Sequence, residues 1–208
     1  MKRLSVIWLV SMLLCMTTGV YANNEFKLIR KNGPTHLYER WITVDKEQVR
    51  ELKAVFSVRS DITSIVKLLQ SQQHGTQWQT KASAYTVKML QEPVAWINYI
   101  QYDLPAVMDD QDCLLLYAIP MGLVPDAQSC VVLFSSTADS QYPVKSGVKR
   151  ISGVKGSWKL EKQPGELVQV TYTISSDRDK KIPRFISDPI IQDNIFKSMS
   201  SFKKLLEQ

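Results

Sequence analysis

GVKGSWKLEKQPGELVQVTYTISSDRDKKIPRFISDPIIQDNIFKSMSSFKKLL, residues 153–206, reads as two alternating strands followed by an amphipathic helix. Trp158 and Leu160 recur at period two in the first strand, and Val168, Val170, Tyr172 and Ile174 do so in the second, the pattern of half-buried strands. Pro164 and Gly165 turn the chain between them. Proline in the second position of a turn belongs to types I and II, whereas two-residue hairpins use the primed types. A three-residue connection, Pro164 to Glu166, resolves the conflict. It sets Leu160 opposite Val170 and Trp158 opposite Tyr172, so both apolar sets share one face. The final helix is expected to begin near Pro189 with Asp188 as its cap. Ile191, Ile195, Met199, Phe202 and Leu206 form its apolar stripe.

Upstream, Phe26 to Lys31 reads as a short helix stopped by Asn32-Gly33-Pro34, and Leu37 to Thr43 as a strand. Alternation from Leu52 to Val58 marks a strand with one buried face. Ser60 or Asp61 then caps a helix carrying Ile62, Ile65, Val66 and Leu69, which should lie against the sheet. Trp78 falls in the connection that follows. Two more strands span Ala84 to Leu90 and Val94 to Tyr102; in the second, Trp96, Asn98 and Ile100 share one face, and either face can look inward. Cys113 to Ile119 and Cys130 to Ser135 are apolar on both faces, as in central strands covered on each side. Ser146 to Ser152 begins the next strand. No repeat or linker divides the chain.

Lys2 and Arg3 precede an apolar run from Leu4 to Val20, and Val20-Tyr21-Ala22 has the small residues of a signal-peptidase site. Residues 1–22 are therefore expected to be a cleavable signal peptide, and residues 23–208 a single domain in the periplasm or outside the cell. Removal of the leader leaves 186 of 208 residues, and lowers the basic count from 26 to 24 against 20 acidic residues, a net charge of +4. That excess fits transient contact with an anionic membrane surface and is too diffuse for nucleic acid. Cys113 and Cys130, the two cysteines beyond the leader, fit either a disulfide or two small buried hydrophobes. His36 and His74 have no partner at metal-ligand spacing, and no GxSxG, Walker loop, HExxH or GxGxxG is present. The sequence nominates no catalytic residue, metal or cofactor.

The Gly156-x-Trp158 strand, Val170-Thr171-Tyr172, the Ile182-Pro183-Arg184-Phe185-Ile186 element and the terminal helix occur in the order found in START domains, the StAR-related lipid-transfer family, which the chain resembles as a bacterial-type secreted member. The resemblance extends from about Phe26 to Leu206 and includes Lys53-Ala54-Val55, Trp78 and Asp112. It implies an α+β helix-grip fold: a curved antiparallel sheet wrapped around a long C-terminal helix and enclosing an apolar cavity. Two departures stand out. The Arg-Asp pair usual before the central strand is Gln111-Asp112, which removes that arginine and leaves Asp112 as a turn residue, and the Pro-x-Pro motif is Pro105-Ala106-Val107.

In the family register Asn98 and Tyr117 form the polar end of the cavity, and Trp96, Leu115, Ile191, Ile195, Met199 and Phe202 its walls. Arg184, near Lys180 and Lys181, is either a headgroup contact or a surface partner of Asp188. The resemblance implies a monomeric carrier of a hydrophobic, lipid-like ligand in the cell envelope. Two alternatives remain open: a helix-grip cyclase or hydrolase acting on an apolar substrate, and a non-catalytic envelope adaptor.

Overall fold

A computed structural model describes residues 25–90, 94–104, 109–177 and 182–208. The expected leader, Pro105-Ala106-Val107 and Lys180-Lys181 lie outside these residues. In chain order the elements are β1 (Lys27–Asn32), β2 (Thr35–Val44), β3 (Glu47–Arg59), α1 (Ile62–Leu69), α2 (Gln72–Trp78), β4 (Ala82–Met89), β5 (Ala95–Tyr102), β6 (Asp110–Ala118), β7 (Ser129–Ser136), β8 (Val148–Arg150), β9 (Lys155–Gln163), β10 (Leu167–Ser175) and α3 (Arg184–Leu206).

Tight turns set the strand order. Asp45 and Lys46, with φ of 49° and 68°, form the two-residue turn between β2 and β3, the backbone a type I′ hairpin requires. Between β9 and β10 the loop has three residues, with φ of 77° at Gly165 and 59° at Glu166. Trp158 lies opposite Tyr172 and Leu160 opposite Val170, the register deduced from Pro164. The sheet runs β1-β2-β3-β10-β9-β7-β6-β5-β4, antiparallel throughout, with β8 added in parallel to β6. It does not close on itself, so β1 and β4 are edges.

The concave face and the helices bury one large core. Phe56, Ile65, Leu69, Trp78, Trp158 and Phe202 are among its most enclosed side chains. Asp61 caps α1: its carboxylate accepts from the Ser64 amide at 2.8 Å. The C-terminal half of α3 enters the core through Phe196, Met199 and Phe202. Its N-terminal half is held at the surface by Arg50–Asp188 at 3.2 Å, Arg30–Asp193 at 2.9 Å, and the Arg184 guanidinium 4.0 Å over the Trp41 ring.

Five expectations need correction. Lys27–Asn32 is a strand, not a helix; it pairs with β2 across a two-residue turn that starts at Gly33, φ 56°. Trp78 closes a second helix, α2, and its ring packs edge-on against Phe202 and Trp158 at 5.0 and 5.9 Å. α3 starts at Arg184 with Pro183 at the N-cap, so Pro189 lies inside it. That proline removes a hydrogen bond to the carbonyl of Phe185, an 80% exposed residue whose neighbouring backbone water can reach. β6 is covered on both faces, but β7 leaves Val131 and Leu133 40% and 45% exposed. The reason is geometric: Tyr142 stacks on Tyr99 at 5.3 Å and covers the outer cluster of Ile97, Tyr99 and Leu114 on β5 and β6, stopping short of β7. Finally, Asp112 is not a turn residue, as described below.

Candidate functional site

Between the open end of the sheet and the N-terminal half of α3 lies a cleft of about 710 Å³. Its mouth is built by the β2–β3 hairpin, the strand ends near Gln111, Lys149 and Ser175, and the first turns of α3. Charged side chains ring this mouth. Arg50 holds Glu39 at 2.7 Å and Asp188 at 3.2 Å, a clamp between the hairpin and the helix. Arg184 is therefore not the partner of Asp188; it stacks on Trp41 instead.

Further in, the lining becomes apolar with neutral polar groups. Leu115, Tyr117 and Cys113 come from β6, Tyr172 and Ile174 from β10, and Ile191, Ile195 and Met199 from α3. Thr80 and Ser198, also in the wall, join the loop after α2 to α3 through a 2.9 Å bond from the Thr80 amide to Ser198 Oγ.

Of the eight residues expected at the cavity, Leu115, Tyr117, Ile191, Ile195 and Met199 line the cleft. Trp96, Asn98 and Phe202 are fully buried and lie outside its lining. Asn98 Nδ2 donates to Tyr85 Oη at 2.5 Å and lies 3.5 Å from the Leu69 carbonyl oxygen, while its Oδ1 is buried without a partner. Its place is the packed interior, tying β5 to β4 and α1. Cys113 and Cys130 are free thiols. Cys130 lies six residues along β7 from Ser136, which faces Leu115, and Cys113 lies two residues further along β6, about 27 Å in all at ~3.4 Å per residue, well beyond disulfide reach.

Asp112 supplies a contact that the sequence reading missed. Its carboxylate is fully buried and accepts from Arg150 Nε at 2.6 Å and Nη2 at 2.8 Å; Nη2 also donates to the Tyr142 carbonyl at 3.1 Å. Asp112 thus finds its cation on β8, whose parallel pairing sets Arg150 directly beside it. The hydrogen bonds to Asp112 raise the Arg150 pKa further. Arg150 also lines the cleft.

Burial dominates the titration of the inner wall. It raises the Tyr102, Tyr117 and Tyr172 phenols well above their ordinary range and pushes the Cys113 thiol up to about 12. At neutral pH these groups are protonated hydrogen-bonding groups, unsuited to act as bases or thiolate nucleophiles. Among the described residues, no group of three or more His, Cys, Asp or Glu side chains is placed to hold a metal ion.

No protein-family model matches the chain. An uncharacterised protein of Pseudomonas aeruginosa is 18% identical over 193 residues, 91% of this chain and 92% of that protein. Among solved structures, the STAR-related lipid transfer protein of Xanthomonas axonopodis superposes with a TM-score of 0.74 at 19% identity, covering 88% of this chain and 99% of that one. Human StAR-related lipid transfer protein 5 gives 0.70 at 11% identity, covering 88% and 86%. An aromatase/cyclase from a Streptomyces species gives 0.53 at 10% identity, covering 76% and 94%. The chain has the START-domain, helix-grip fold: a large antiparallel sheet with a C-terminal helix, here left open at its edges.

Proposed function

We propose that this protein binds one hydrophobic, lipid-like molecule in the cleft under α3 and acts as a soluble carrier or transfer protein in the cell envelope. The observation that carries the reading is the gradient along the cleft, from a charged mouth to an inner wall of Leu115, Ile195, Met199 and neutral hydroxyls. A ligand's apolar body gains about 25 cal/mol for each Å² removed from water, while its polar end stays near Arg50, Lys149 and Arg150. The volume falls within the ~300–1,000 Å³ typical of small-ligand sites. The fold supports the same reading, since two of the similar structures bear the name of lipid transfer proteins.

Native mass spectrometry of the purified protein, before and after delipidation and addition of lipid, tests this. A one-to-one adduct is expected; a protein that neither co-purifies with lipid nor takes any up refutes it.

The likeness to an aromatase/cyclase keeps an enzymatic reading on an apolar substrate in view. That reading needs a group that exchanges protons near neutral pH, and the phenols and thiol of the inner wall are held protonated. Carriage therefore accounts for the site better than turnover.

A further inference from the structure

The strand register builds a row of rings across the concave face. Trp96 on β5 is paired with Tyr117 on β6, and Tyr117 with Phe134 on β7. Successive rings stack with centroids 5.1 and 5.2 Å apart and planes 12° and 28° from parallel. The next partner across the sheet is Gly156 on β9, which contributes no side chain. Phe134 fills that gap: a Cβ at Gly156 would lie 2.2 Å from Phe134 Cζ and 2.2 Å from the Thr173 carbonyl oxygen. Tyr172 reaches over from β10 to continue the row, its ring 5.8 Å from Phe134 at 14°, and it packs on Trp158 at 4.5 Å.

Only the two tyrosines of this row face the cleft; Trp96, Phe134 and Trp158 stand behind them in the core. The wall has nowhere to retreat. Phe134 already occupies the space over Gly156, and Trp158 is backed by Phe202 at 4.9 Å and Trp78 at 5.9 Å. Interiors packed this closely do not yield to a ligand as a liquid would.

We propose that the ring row is a depth stop that restricts the cleft to a ligand with one acyl chain or one fused-ring body and excludes two-chain lipids, with Phe134 as the residue that positions it. This rests on the lipid-binding reading above and adds the ligand class. Phe134 acts through Tyr117 and Tyr172, because its own ring does not line the cleft.

The test uses the delipidated protein with three probes: palmitoyl-lysophosphatidylcholine, cholesterol and dipalmitoyl-phosphatidylcholine, read by native mass spectrometry and competition. At least one of the first two is expected to bind one-to-one, and the two-chain probe at least roughly tenfold more weakly. In a series of lysolipids of increasing chain length, the longest chain accepted should lengthen from wild type to Phe134→Leu to Phe134→Ala, with circular dichroism confirming that the variants fold. Two-chain lipid bound as tightly as the best single-body probe overturns the depth stop and leaves the lipid reading intact, as does an unchanged length limit in folded variants. Failure of every probe overturns both. Should the variants not fold, the wild-type comparison still decides.

Discussion

Replacing Arg150 by Met keeps a flexible apolar stem on β8 but deletes the guanidinium on which Asp112 depends. The Asp112 side chain is 0% exposed and Arg150 is 20% exposed, so one charge is enclosed while the other reaches solvent. The substitution removes two charge-assisted bonds of 2.6 and 2.8 Å and the 3.1 Å bond to the Tyr142 carbonyl. Breaking a buried pair by removing one partner costs about 3–5 kcal/mol, mainly from the stranded charge. With a urea m-value of about 2 kcal/mol/M, the midpoint falls by roughly 2 M. A domain in the middle or upper part of the usual ~5–15 kcal/mol range remains folded after this loss, so it can be measured. Asp112→Asn should cost only about 1–2 kcal/mol, because it removes the enclosed charge and leaves Arg150 access to water. The double variant should then be more stable than Arg150→Met alone, and a double-mutant cycle reports the coupling. A loss below about 1 kcal/mol for Arg150→Met, or a double variant no better than that single one, refutes the reasoning.

Neither cysteine should react with an aromatic disulfide reagent in the native protein at pH 8, since burial holds Cys113 at about 12 and also raises Cys130; both should react in denaturant, and intact mass should be that of the dithiol. Prompt native labelling of Cys113 would mean that the inner wall is open to reagents. Asp61→Ala should cost about 1 kcal/mol through loss of the α1 cap. Hydrogen bonds from Ser64 hold the Asp61 carboxyl below its ordinary value, so the cap's electrostatic contribution is present above the unfolded pKa of ~4 and is lost as pH falls through the lower folded value. Urea titrations at pH 7 and pH 3 should therefore show wild type and variant converging in acid; an unchanged gap would refute the assignment.

Local chemistry made the β9–β10 hairpin legible: a proline that the primed turns disfavour forced a three-residue loop, and side-chain alternation did the rest. α2 was not legible because Gln72–Trp78 has no apolar stripe; its evidence is the missing Cβ of Gly75, where any added carbon would sit 2.0 Å from the Tyr85 ring. The start of α3 was ambiguous because Pro183 and Pro189 both suit a helix entrance, and the choice rests on distant partners, Trp41 and Arg50. The Asp112 contact was hidden for the same reason, its arginine lying 38 residues away on a parallel strand. At the site, periodicity identified the inward face of β9, β10 and α3 but left both faces of β5 and β6 open, and on no element did it show how far along the face the cleft extends. Trp96 and Tyr117 are cross-strand partners, yet only Tyr117 lines the cleft. Phe202 lies one turn beyond Met199 and is already in solid core.

The two ends of α3 are attached to the domain by different kinds of contact. From Phe196 onward, exposing the helix means breaking into the main core, an event close to global unfolding. Before that point, its polar attachments among the described residues are two ion pairs and one cation–π contact, of which the more exposed Arg30–Asp193 pair is worth roughly 0.2–1 kcal/mol, and Pro189 has already removed one rung of the helix. Fraying of this front segment is a small, salt-sensitive excursion that leaves the sheet and the rear of the helix in place. Raising the ionic strength above physiological salt, where the screening length is already ~8 Å, should therefore loosen this front segment before the rest of the domain.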